Sequence, residues 1–270
     1  MRLFGVIRKN IYKEPHTRKR VKHTSPATIN FSIFRSTSPR GAVPLEKIKT
    51  NGKIMANIFD IFKEISTDRQ SKANAPITHL IVGLGNPGDK YYNTRHNAGF
   101  LMMDYLSQRI GVSVDRVKFK ALVGEAEIAG KRVLLLKPQT LMNASGLAVR
   151  EAAAFYKIAP ENILVFSDDI SLDVGKVRMR MKGSDGGQKG LRSITTQINT
   201  DQFPRIRFGV GAKPHPDYDL ADWVLSEFSK DEQTTIFSCF ARAYDGVCRY
   251  LSGDSEGAVR ICNAKGETNT

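Results

Sequence analysis

THLIVGLGNPGDKYYNTRHNAGF, residues 78–100, is the stretch whose reading decides the fold. An apolar β-type run from His79 to Val82 feeds a glycine turn, then a tight cluster of polar side chains that includes Asn86, Asn93, Arg95, His96 and Asn97. The pattern is that of a strand delivering chemistry to its C-terminal end. In open α/β sheets the crevice beyond the strand ends is where ligands bind. A histidine placed there can move protons near neutral pH.

Gly83, Gly85 and Gly88 fit G-x-G-x-x-G after a strand, the pattern of a dinucleotide site. The context argues against it. Such a site needs a helix opening on the third glycine, so that its N-terminus meets a pyrophosphate, whereas Pro87 and the Asp89 to His96 segment predict an extended polar loop. A ribose-binding acid should also end a second strand about twenty residues on. Here that region reads FLMMDYLSQRI, where Phe100, Met103, Leu106 and Ile110 recur at helical spacing and place Asp104 on a helix surface.

Working outward, 270 residues leave room for one sizeable α/β domain plus extras. No apolar run approaches the ~18 residues of a membrane span, so no membrane partner is expected. Cys239, Cys248 and Cys262 lie far apart, with no C-x-x-C pair and no neighbouring histidines. That spacing predicts reduced, partly buried thiols and no metal site.

The net charge of +14 suggests nucleic acid, but its distribution matters more. Residues 1–54 hold thirteen Lys/Arg against two acids, Glu14 and Glu46, and so account for +11. What remains in the rest of the chain is local: Lys176, Arg178, Arg180, Lys182, Lys189 and Arg192, followed by Arg205, Arg207 and Lys213. Such a cluster can track phosphates. Judged by charge alone, a solvated strand-and-loop face is the lesser alternative.

Residues 1–54 lack sustained periodicity and mix four prolines with Ser, Thr and basic residues, which predicts a disordered basic extension. Its Arg-rich, acid-poor composition also fits an organelle transit peptide. The alternative preferred here is a start at Met55. The next residues, ANIFDIFKEI, form a compact amphipathic unit with Ile58, Phe59, Ile61, Phe62 and Ile65 apolar. Residues 55–76 are therefore read as a short amphipathic helix and a polar linker, and 77–270 as the main folded domain.

From Pro76 onward strand and helix patterns alternate. Strands are predicted at His79–Gly83, Lys120–Ile128, Arg132–Lys137, Ile163–Ser167, Lys176–Met181 and Arg205–Gly211, the second and third joined at Ala129-Gly130 as a hairpin. Helices are predicted at Ala98–Ile110, Ser145–Tyr156, Gln188–Ile198 and Asp231–Leu251. The expected fold is a single three-layer α/β/α domain around a twisted mixed sheet.

Polar residues collect at the strand ends. His96 lies beyond the first strand, Met142 and Asn143 follow the strand ending at Lys137, Asp168 and Asp169 close ILVFS, and Gly183 to Gly190 follow RMRMK. A His–Asp pair on such a rim fixes an imidazole tautomer and stabilises imidazolium, while asparagines orient a water or donate to an oxyanion. No Ser in a G-x-S-x-G elbow and no well-placed Cys supplies a nucleophile. Water becomes the attacker, and the reaction a hydrolysis.

Five ordered segments, GLGNPGDKYYNTRHNAGF (83–100), LKPQTLMNASG (136–146), ILVFSDDISLDVG (163–175), GSDGGQKGL (183–191) and FPRIRFGVG (203–211), closely resemble bacterial-type peptidyl-tRNA hydrolase. The resemblance covers about residues 77–250. It implies cleavage of the ester between a peptide and the terminal ribose of tRNA, recycling tRNA from aborted translation, without metal or cofactor; the chain itself is expected to be a cytoplasmic monomer, or an organelle protein if residues 1–54 are a transit peptide. His96 matches the family's base and Asp168 the acid that orients it. Asn86 and Asn143 match the asparagines that hold the site and contact the peptide main chain, Met142 an apolar wall, and Tyr91 a residue near the tRNA end. Arg180 and Arg207 stand where the family uses basic residues for tRNA, with Arg178 and Lys182 assisting.

The resemblance also exposes departures. Many members carry His-Asn where this chain has Gln188-Lys189. Lys189 keeps a donor but adds charge and loses the acceptor, so it is expected to contact the terminal phosphate or ribose. Residues 212–225, AKPHPDYDLADWVL, place His215, Asp217, Asp219 and Asp222 near Trp223. The two prolines favour a surface loop leading to a short helix, and the resemblance implies a lid over the cleft in place of a metal site. A second class of function, a non-catalytic RNA-binding relative of the organelle intron-splicing type, stays open at this point. The presence of His96, Asp168, Asn86 and Asn143 favours the enzyme.

Overall fold

The computed structural model describes residues 75–264, together with a short antiparallel ladder in which Lys49 faces Ile54 and Thr50 faces Lys53. The remainder of the expected basic extension, the amphipathic segment around Ile58 to Ile65 and the polar linker up to residue 74 lie outside the described residues. By compactness the chain divides at residue 60, and the ladder belongs to the first unit. The second unit carries everything that follows.

Seven strands form one mixed sheet: β1 (His79–Gly83), β2 (Arg116–Lys118), β3 (Ala121–Ile128), β4 (Lys131–Pro138), β5 (Ile163–Asp169), β6 (Val177–Arg180) and β7 (Arg205–Gly209), in the spatial order β2-β3-β4-β1-β5-β7-β6. The four central strands β4, β1, β5 and β7 run parallel, and the outer ones pair antiparallel. A strand flanked on both sides and covered on both faces needs an unbroken apolar run. HLIVG in β1 and VLLL in β4 supply it, and Leu80, Ile81, Val82 and Val133 to Leu136 are fully buried. The β3–β4 hairpin turns at Ala129 and Gly130, both with positive φ (49° and 74°), the twist that two-residue hairpins favour.

Helices cover both faces. On one side α1 (Ala98–Ile110), α5 (Lys230–Leu251) and α6 (Ser255–Asn263) pack Met102, Leu106, Phe240 and Val247 against Ile81, Leu135 and Phe166. On the other, α2 (Ser145–Tyr156) and α3 (Lys189–Ile198) pack Val149, Ala152 and Ile194 against Leu80, Val82 and Leu134. Successive β1 residues thus enter opposite cores, the two-residue period of a strand made visible. The architecture is the three-layer α/β/α arrangement expected.

Gly83 and Gly85 have a packing role. A Cβ on Gly83 would stand 2.6 Å from the Gly99 carbonyl oxygen, and one on Gly85 would stand 2.5 Å from the Phe100 ring. They let α1 press onto the end of β1, which is a different use from cradling a pyrophosphate.

Three elements differ from expectation. The edge strand β2 is three exposed residues and shows no alternation to read. Helix α6 follows a turn at Ser252-Gly253, where the helical pattern seemed to end. Its cap is Asp254, whose carboxylate accepts from the Gly257 N–H at 2.8 Å. The loop from Asp89 to His96, expected to be extended, instead folds into two 3-10 turns, Asp89–Tyr91 and Arg95–Asn97. Asp104, expected on a helix surface, is mostly buried and paired with Lys137 at 2.6 Å. Among the described residues no helix is long and apolar enough to cross a membrane.

Candidate active site

A cleft of about 510 Å³ opens at the C-terminal ends of the parallel strands. Four loops reach it: the turn after β1 with Asn86, Tyr91 and His96; the turn after β4 with Met142 and Asn143; the end of β5 with Asp168 and Asp169; and the glycine loop ending in Gln188 and Lys189. Arg207 of β7 completes its floor.

His96 sits in the 3-10 turn that runs straight into α1, only 9% exposed, with Nδ1 2.9 Å from Oδ2 of Asp168. Asp168 is 4% exposed near the end of β5. An ionised carboxylate only accepts, so Nδ1 carries the proton and donates. The neutral ring then keeps its lone pair on Nε2, the atom available to take a proton from water.

The second oxygen of Asp168 is also engaged. Gln188 donates to Oδ1 from Nε2 at 2.9 Å, while its Oε1 accepts from the Leu191 N–H at 2.7 Å and caps α3. That cap fixes the amide orientation, because only Oε1 can accept from a backbone N–H. Gln188, met in the sequence as a departure from His, therefore holds the carboxylate that holds the imidazole.

Asn86 and Asn97 form a paired lock. The Asn86 N–H donates to Oδ1 of Asn97 at 2.8 Å, and Nδ2 of Asn97 donates to the Asn86 carbonyl at 2.9 Å. Oδ1 of Asn86 in turn accepts from the Met142 N–H at 2.8 Å, which brings the β4 turn to the end of β1. With that oxygen occupied, Nδ2 is what Asn86 can offer a ligand. Asn143 is exposed on the cleft wall, and Met142 is buried beside Gln188. The reading of the residues gave Asn97 no role, although its place directly after His96 was the available signal.

Of the expected residues, Asn86, Tyr91, His96, Met142, Asn143, Asp168, Lys189 and Arg207 line the cleft; Arg178, Arg180 and Lys182 do not. Arg180 and Lys182 are exposed and Arg178 half-buried, on and just beyond the edge strand β6, where Arg178 lies opposite Arg207. Arg207 is ion-paired with Asp169 at 2.7 Å. Two members of the basic cluster need correction as phosphate contacts. Arg205 is 1% exposed, and its guanidinium donates to the carbonyls of Gly183, Ser184, Asp201 and Phe203, pinning the base of the glycine loop. Burial lowers its pKa to about 10, which leaves it cationic at neutral pH. Lys213 is turned back onto the Pro216 carbonyl at 2.6 Å.

The remaining wall is α4 (Leu220–Leu225), capped by Asp219 and presenting Leu220, Val224 and Leu225 to the cleft. Among the described residues no group of three or more His, Cys, Asp or Glu side chains could hold a metal ion. Cys239 and Cys262 are buried, and desolvation pushes both thiols up to about 12, which makes them inert packing.

A buried His–Asp pair with one imidazole nitrogen left to a cleft fits the class of hydrolases. A model of the peptidyl-tRNA hydrolase family matches residues 80–269. The chain is 52% identical over 185 residues to a peptidyl-tRNA hydrolase of Caldicellulosiruptor bescii, across 68% of this chain and 96% of that protein. It is 49% identical over 184 residues to one from Clostridium botulinum, across 68% and 95%. The crystal structure of peptidyl-tRNA hydrolase from Acinetobacter baumannii superposes with a TM-score of 0.66 at 35% identity, covering 71% of this chain and 97% of that one. The chain belongs to the peptidyl-tRNA hydrolase family.

Proposed function

We propose that this protein hydrolyses the ester between peptide and tRNA in peptidyl-tRNA, with a water activated by His96 as nucleophile. The observation that carries this reading is the buried 2.9 Å contact between Nδ1 of His96 and Asp168 at the edge of the cleft. As the water oxygen attacks the ester carbonyl, Nε2 of His96 takes its proton, and the imidazolium is stabilised by Asp168. The Asn143 amide donates to the oxyanion. Collapse breaks the bond to the ribose oxygen, which leaves with the proton returned from His96, giving a tRNA hydroxyl and a peptide acid that loses its remaining proton to solvent.

The binding roles in this reading are those the family resemblance implies, and the lining of the cleft is compatible with them. Nδ2 of Asn86 and the Asn143 side chain hold the peptide main chain, Met142 supplies an apolar wall, and Tyr91 lies toward the tRNA end. Lys189 meets the terminal phosphate or ribose. Arg178, Arg180 and Lys182 form an outer phosphate-tracking ridge continuous with Arg207. In this reading the chain acts as a monomer in the cytoplasm, needs no cofactor, and returns tRNA from aborted translation.

Release of peptide from a peptidyl-tRNA by wild type and His96→Ala, side by side, tests the reading. Turnover should fall roughly 10²–10⁴-fold, the usual worth of a general base, with binding retained. A wild-type protein that binds tRNA yet releases no peptide overturns it and favours a purely RNA-binding relative.

A further inference from the structure

Arg95, the residue before His96, neither lines the cleft nor reaches solvent, yet every nitrogen of its guanidinium is bonded. Its guanidinium forms a fork with Glu232, Nη1 to Oε1 and Nη2 to Oε2, both at 2.9 Å. Nη1 also donates to the Val210 carbonyl at 2.9 Å and Nε to the Ser226 hydroxyl at 3.1 Å. The flat face lies 3.8 Å from the centre of the Trp223 ring, with Phe228 at 5.1 Å. The backbone repeats the pattern: the Arg95 N–H donates to the Ser226 carbonyl, and Thr94 bridges to Glu227.

Val210 and Ser226 bracket the segment that carries α4, and Trp223 sits in that helix with its indole N–H on the Gly211 carbonyl at 2.9 Å. One side chain thus holds both ends of the segment, the second end through Ser226 and the α4 residue Trp223 together. Trp223 is turned away from the cleft, while its helix neighbours Leu220, Val224 and Leu225 line it.

We infer that Arg95 is a positioning residue that ties the α4 wall to the turn bearing His96, so that the apolar wall is set by the same anchor as the imidazole. The inference rests on the hydrolase reading above. A wall that closes over bound substrate must move relative to the histidine only as far as this anchor allows. Removing the indole face frees α4 but leaves the His96–Asp168 contact intact, and the cost should fall on substrate binding before it falls on the chemical step.

Trp223 is the only tryptophan in the chain, so its fluorescence reports the stack directly. Trp223→Leu and Trp223→Tyr are compared with wild type in peptide release from peptidyl-tRNA. Acrylamide quenching of Trp223 is measured in wild type and in Glu232→Gln, which loosens the guanidinium while keeping the indole. Trp223→Leu should raise KM by roughly tenfold, the worth of a desolvated cation–π contact, with kcat changed by less than about threefold. Trp223→Tyr, which restores a face for the guanidinium, should return KM to within about twofold of wild type. Glu232→Gln should raise the quenching constant about twofold or more as the guanidinium no longer covers the ring. A Trp223→Leu protein with unchanged KM, or a Glu232→Gln protein with unchanged quenching, overturns the inference. A wild type that releases no peptide overturns the hydrolase reading, and the quenching result still decides whether Arg95 anchors α4.

Discussion

Gln188 donates a 2.9 Å hydrogen bond to the oxygen of Asp168 that His96 does not use. Both oxygens of the acid are therefore engaged, and the acid is tied through Gln188 to the first turn of α3. Gln188→Ala removes a helix cap and one charge-assisted bond together. Stability should fall by about 1 kcal/mol, read from a urea midpoint, and kcat by roughly tenfold. Gln188→Glu should be worse than Ala in kcat, because a second carboxylate then faces Asp168. An Ala variant with wild-type kcat would show that Asp168 needs only His96.

Asp168→Asn preserves shape and removes the charge. The amide can present either an oxygen or an NH₂ to Nδ1, so the tautomer that leaves Nε2 basic is no longer enforced. A loss of roughly 10²–10⁴ in kcat with little change in KM is expected. Comparable losses in both parameters would indicate that Asp168 shapes the cleft more than it orients the base.

Charge already spent inside the protein should not appear in salt dependence. Arg180, Lys182 and Lys189 are exposed, whereas Arg207 is paired with Asp169. Neutralising Arg180 or Lys182 should lower the slope of log affinity against log salt by about one charge each, and Lys189→Asn should do the same. Arg207→Gln should weaken binding with a smaller change of slope. Equal slopes for wild type and Lys189→Asn would remove Lys189 from the phosphate contacts.

Glu232 carries the acid sensitivity of the α4 anchor. Burial opposes its ionisation, but hydrogen bonds from Arg95 and Ser229 outweigh that and hold its carboxyl below the ordinary 4.5. A depressed carboxyl contributes stability that is complete above the unfolded value and is lost as pH falls through the folded one. Urea midpoints of wild type should therefore decline below pH 4.5, and Glu232→Gln should be less stable at neutral pH with a flatter acid limb. Parallel acid limbs for the two proteins would place the sensitivity elsewhere.

Much of the scaffold was legible because its signals are local. His79–Gly83, Ala98–Ile110 and Ser145–Tyr156 begin and end where their apolar periodicity does. Val177–Arg180 could be read as a strand, but not as an edge whose Met179 backbone pairs with the side chain of Asn263, 84 residues away. Asp254 caps a helix beyond a Ser-Gly turn that looked like an end. Arg205 looked like a phosphate contact because charge is visible in a sequence and burial is not.

From the sequence by itself came the alternation of strands and helices, and the rim on which His96, Asp168, Asn86 and Asn143 gather. These depend on periodicity and on the order of motifs along the chain. The tertiary structure alone decided which charges are free and which are spent, that Gln188 holds Asp168, and that Arg95 grips Glu232 across 137 residues. Hydrogen bonds between such distant segments are set by how helices and strands pack in space, and no local pattern of residues encodes that distance.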